Sequence, residues 1–135
     1  MSAGSTKILF SFVGNRDPFS SEEEQIPGPV LSLLDARTFD HVYLVCTGPS
    51  YTERARSIEE IQKATAAETR FSFINLELSS PVDYEEIFSK LKSSLDQLLP
   101  VIQDSSCDIS ILADSGTPQM QTTWFLFAKS GYLNA

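Results

Sequence analysis

Four short apolar runs, separated by stretches of helical periodicity, constrain this chain more than any other feature. They are Lys7–Val13 (KILFSFV), His41–Thr47 (HVYLVCT), Phe71–Leu76 (FSFINL) and Cys107–Ala113 (CDISILA). The first two are almost continuously apolar, as strands covered on both faces are. Between and after them lie four helical patterns. Pro29 opens a short helix whose face carries Val30, Leu31, Leu33 and Leu34 and which ends by Thr38. A second runs from about Thr52 to Ala67, with Ile58 and Ile61 on one side and Glu59, Glu60 and Lys63 on the other. Asp83 caps a long third helix, Tyr84 to about Gln103, striped by Ile87, Leu91, Leu95, Leu98 and Ile102 and kinked or ended near Pro100. The fourth is Pro118–Lys129, with Gly131 at its C-terminal cap. Apolar strands alternating with amphipathic helices predict an α/β fold: a Rossmann-like three-layer sandwich, mainly parallel, with helices on both faces. Right-handed crossovers select an open doubly wound sheet ordered 3-2-1-4, and the chain is too short for an eightfold barrel.

Length and charge narrow the function. The 135 residues are 41% apolar and suit one domain, 1–135. A net charge of −8 and a pI near 4.5 argue against broad binding to duplex DNA or to an anionic membrane surface. They leave room for a small anion held by local dipoles and a few cations. Cys46 and Cys107 lie in or beside strands, outside any CxxC, and His41 is the single histidine. Buried thiols are therefore expected, with no metal and no cofactor. No apolar run reaches the length of a membrane span. The polar MSAGSTK start, and the short run Ile8–Val13 interrupted by Asn15, Arg16 and Asp17, do not form a signal peptide, so the expected location is cytoplasmic. Tyr132-Leu133-Asn134-Ala135 falls where a further strand would be expected, which suggests the N-terminal sensor part of a longer protein.

A 3-2-1-4 sheet changes direction between its first and fourth strands, and ligands of such sheets bind at the carboxyl ends of those strands. Two polar loops leave there, Gly14–Phe19 and Asp114–Thr117. In the second, Gly116 suits a positive φ, Thr117 an N-cap and Pro118 the first helical position. The N–H groups of Gln119 and Met120 are then expected to face the crevice, where a helix N-terminus favours anions. Gln119 and Gln121 place polar side chains on the first turn of an otherwise apolar helix. Arg16 is the only cation in either loop; it suits a phosphate or a base face, or an ion pair to Asp17 or Asp114. Asn15 offers an amide to a base or ribose, or simply forms the turn. Thr47 is a further candidate or a turn residue, and Ser79 and Ser80 cap or brace a loop. GNRDPF is not GxGxxG, and neither GxxxxGK[ST] nor GxSxG is present. Ser115 occupies an elbow-like turn, but His41, at the start of the second strand, should lie far from it. Asp17 and Asp114 are either a carboxylate pair or turn residues.

FSFVGNRDPF, SSPVDYEEIF and SGTPQMQTTW resemble the CARF family, the CRISPR-associated Rossmann fold, across most of the chain. They are most similar to the N-terminal sensor domains of bacterial enhancer-binding transcription activators such as the regulator of the RNA-repair operon. The resemblance implies a homodimer whose paired strand ends form one symmetric pocket. It implies a cyclic oligoadenylate or RNA-end ligand, and a C-terminal effector or AAA+ module under control. Carried over, the pocket comprises Gly14, Asn15, Arg16, Asp17, Asp114, Ser115, Gly116, Thr117, Pro118, Gln119, Met120 and Gln121. No catalytic residue is implied. The alternative is a ring nuclease that orients a ribose 2′-hydroxyl with Ser115, Thr117 and Arg16.

Overall fold

Each apolar run becomes a strand of one sheet in the computed structural model, which describes residues 6–102 and 107–133. In chain order the elements are β1 (Thr6–Phe12), β2 (Phe19–Ser21), β3 (Ile26–Pro27), α1 (Pro29–Ala36), β4 (His41–Cys46), α2 (Pro49–Lys63), β5 (Arg70–Asn75), α3 (Tyr84–Ile102), β6 (Cys107–Leu112) and α4 (Pro118–Lys129). The main sheet is ordered β5-β4-β1-β6 with every pairing parallel. This is the expected 3-2-1-4 arrangement. Phe10 of β1 stands opposite Tyr43 on one side and Ile111 on the other.

Alternation along β1 feeds two separate cores. Ile8, Phe10 and Phe12 pack against α3 (Ile87, Leu91, Leu95, Leu99) and α4 (Met120, Trp124, Phe127). Leu9 and Val13 face α1 (Val30, Leu31) and α2 (Ala55, Ile58). Trp124 is 1% exposed, with its ring centroid 5.4 Å from Phe12 and 6.0 Å from Phe10. Full burial of one such side chain contributes roughly 1.5–3 kcal/mol. The first of these cores fixes the height and tilt of α4 over the sheet, and so the position of its N-terminus.

Local chemistry departs from the sequence expectations in several places. The polar stretch between Pro18 and Gly28, which has no strand periodicity in the sequence, carries the two-stranded antiparallel ribbon β2–β3. Helix α2 begins at Pro49, not Thr52, because Gly48 serves as N-cap and Pro49 fits the first position. It buries Ala55, Ile58 and Gln62, while Ile61 stays 37% exposed. Gln62 is satisfied by donating to Asp35 Oδ1 at 3.0 Å. Pro100 lies inside α3, which continues to Ile102. The C-cap of α4 is Ser130, and Gly131 one residue on takes the positive φ of 83°. Gln103, Asn134 and Ala135 lie outside the described residues. Among the described residues, no helix is long and apolar enough to cross a membrane.

Candidate functional site

The loops after β1 and β6 meet over the carboxyl ends of their strands and line a cleft of about 270 Å³. Their backbones touch at two glycines. A Cβ on Gly14 would sit 2.8 Å from the Gly116 backbone nitrogen, and Gly116 itself has φ +92°. A side chain at Gly14 would force the loops apart, and one at Gly116 would strain its positive φ and meet Met120 Sδ at 2.7 Å.

Asp17 ties this crossing together. It is fully buried, and its Oδ2 accepts from Gly14 N (2.9 Å) and Ser115 Oγ (2.9 Å). Its Oδ1 accepts from Val30 N at 3.1 Å, in the first turn of α1. One carboxylate thus joins three segments. Arg54 of α2 closes the loop from behind, its Nη1 donating to the carbonyls of Asn15 (3.1 Å) and Asp17 (2.6 Å). Tyr51 of the same helix donates from its hydroxyl to Asn15 Oδ1 at 2.8 Å.

The cleft brings together most of the residues expected there. Gly14, Asn15, Arg16, Asp17, Asp114, Ser115, Gly116, Thr117, Met120 and Gln121 all line it, and so does Thr47. Pro118 and Gln119 do not line it. Arg16 is exposed and is the only cation among the lining residues. It makes no ion pair among the described residues, so the pairings with Asp17 and Asp114 are not formed. Asp17 and Asp114 are not a working carboxylate pair either, since Asp17 is engaged by three donors while Asp114 is exposed.

Thr117 is the N-cap of α4, and its Oγ1 accepts from Met120 N at 3.3 Å. The Met120 N–H expected to face a ligand is therefore occupied. The N–H groups of Gly116 and Gln119 have no acceptor among the described residues. Gln121 folds back, donating from Nε2 to the Gly116 carbonyl at 3.3 Å. Ser115 is 3% exposed with its hydroxyl given to Asp17. His41 lies at the other end of the strands, stacked on Tyr43 and bonded to Ser72 Oγ at 2.7 Å. Burial and the nearby Arg70 charge lower its pKa. An activated Ser115 is thus not assembled.

Besides Val13 at the end of the first apolar run, three lining residues escaped sequence reasoning. Tyr51 and Pro29 line the cleft from α2 and α1, and Pro81 lines it from the loop between β5 and α3. Thr117 Oγ1 donates to the Pro81 carbonyl at 2.7 Å, joining that loop to α4. A Tyr and an Arg three residues apart at the start of a helix carry no distinctive signal until the fold brings them to the β1 loop. Cys46 is buried at the end of β4, and burial pushes its thiol up to about 11, against the reactive range.

No family model and no curated protein matches the sequence. Among solved structures, Enterococcus italicus Csm6 bound to cyclic hexa-2′-fluoro-hexa-dAMP is similar, with a TM-score of 0.80 at 22% identity. The match covers 94% of this chain and 32% of that one, so the chain spans about a third of the Csm6 chain. At this identity the likeness is one of fold.

Proposed function

We propose that this chain is a CARF-type sensor domain that binds a cyclic oligoadenylate in a pocket shared by two copies of the chain. In this reading it forms the N-terminal part of a longer cytoplasmic protein and controls a C-terminal effector or AAA+ module. A linear RNA end, as in the RNA-repair regulators, is the neighbouring possibility within the same ligand class. One observation carries the reading: the cleft lies at the switch point of a fold that it shares with a protein solved with a cyclic nucleotide ligand.

The geometry supplies a role for each group. Arg16 and the N–H group of Gly116 hold phosphate oxygens. Asn15 keeps its Nδ2 for a base or ribose acceptor, because Tyr51 has taken its Oδ1. The tethered Tyr51 supplies the aromatic surface of the cleft. Gln121 contributes its free Oε1. With Ser115 bonded to Asp17, the domain senses its ligand and releases it intact.

Thermal melting with cyclic tri-, tetra- and hexa-adenylate, and with short RNA ending in a 2′,3′-cyclic phosphate, tests this. A ligand at a hundredfold its Kd stabilises the folded state by about 2.7 kcal/mol. One ring size is expected to raise the melting temperature, and chromatography afterwards to recover the ring uncut. Recovery of linear product would establish the ring nuclease instead, and no shift with any ligand would remove the proposed class. Arg16→Ala should weaken binding about tenfold or more, the worth of a charged hydrogen bond, without changing the ligand-free melting temperature.

A further inference from the structure

We infer that Glu86 is a positioning residue for the cleft: its carboxylate sets the Ser79–Pro81 loop as a wall, and through Pro81 and Thr117 it steadies the first turn of α4. The contacts run in an unbroken series. Glu86 stands in the first turn of α3, where its own N–H is capped by Asp83 Oδ1 at 3.2 Å. Its carboxylate reaches back over the loop. Ser79 N donates to both oxygens (2.8 and 2.9 Å), Ser79 Oγ to Oε2 (2.9 Å) and Ser80 N to Oε1 (3.2 Å). Lys90, one turn further along α3, pairs with the same carboxylate at 3.2 Å and also bonds the Glu77 carbonyl. The next residue, Pro81, enters the cleft and takes its hydrogen bond from Thr117. Thr117 in turn caps Met120.

The anchor is rigid because the helix that carries it is rigid. Ile87, beside Glu86, and Leu91, Leu95 and Leu99 beyond it are buried in the core shared with α4. Charge-assisted bonds from several donors to one carboxylate fix it more firmly than neutral contacts do. The loop has few bonds of other origin: Ser79 N and Ser80 N find acceptors only on Glu86 among the described residues. A plain role in starting α3 would end at Ser80. The contact from Pro81 to Thr117 extends it to a residue 36 positions away, on the other side of the cleft.

The affinity part of this inference rests on the proposed ligand; the structural part does not. Glu86→Ala removes every acceptor, and Glu86→Gln keeps one oxygen. Amide hydrogen exchange in the ligand-free protein should speed about tenfold at Ser79 and Ser80 in Glu86→Ala, and less in Glu86→Gln. Met120 should speed with them. Affinity for cyclic hexa-adenylate should fall about tenfold in the same graded order. With Thr117→Val already in place, Glu86→Gln should cost nothing more in affinity, because the connection is cut. Exchange that quickens at Ser79 and Ser80 while Met120 keeps its protection overturns the inference, as does full affinity in Glu86→Gln. If wild type binds no cyclic adenylate, the ligand reading falls and the relay stands or falls on the exchange of Met120 alone.

Discussion

Asp17 shows how much one buried side chain can organise. Its two oxygens meet donors from its own loop, from the β6 loop and from α1, and all of the donors are satisfied at once. Replacing one oxygen by an amide nitrogen turns a donor toward donors. Asp17→Asn should therefore lose about 1–3 kcal/mol, read as a lower urea midpoint at unchanged slope. The loss should appear in the cleft as well, since Gly14 and Ser115 are both lining residues. In the sequence, Asp17 looked like any acidic turn residue beside a proline. Its type and position were legible; its burial was not, because that depends on a serine 98 residues away.

At the scale of elements, strands and helices were readable because apolar content and period follow directly from which faces are covered. Helix α4 was legible to its ends, Pro118 and Lys129, since Thr117-Pro118 at one end and Gly131 at the other carry their own backbone preferences. The β2–β3 ribbon was not, for its strands span three and two residues in a polar stretch. The wall contributed by the Ser79–Pro81 loop was equally hidden, because nothing in the sequence sets Glu86 apart from its neighbour Glu85, which makes no such contacts among the described residues. That wall has a pH signature. Ser79 and Ser80 hold the Glu86 carboxyl down to about 2, below its ordinary 4.5. A depressed acid contributes stability that is complete above about pH 4.5 and fades as the pH falls through about 2. Protection of the Ser79 and Ser80 amides should therefore persist at pH 4 and collapse only near pH 2. In Glu86→Gln it should be reduced, though less than in Glu86→Ala, and flat across that window.

On the scale of the whole molecule, the sheet divides the core in two and leaves all sequence-expected loops at one end. On the proposed reading, a ligand with twofold symmetry is matched by two copies of the cleft facing each other. Native mass spectrometry should accordingly find one ring per two chains, and a one-to-one complex would refute the shared pocket. The lone Arg16 in an otherwise uncharged or acidic cleft has a further consequence. Two copies offer a polyphosphate ring only two guanidinium groups, so few counterions leave when it binds. The logarithm of affinity should fall against the logarithm of salt with a slope of about −1.4, shallow for a nucleic-acid ligand. In the proposed pocket, fixed backbone dipoles would do the remaining work, with no counterion release of their own. Over a fourfold rise in salt the threshold of the proposed sensor would move only about sevenfold, against about a thousandfold for a protein that neutralises six phosphates.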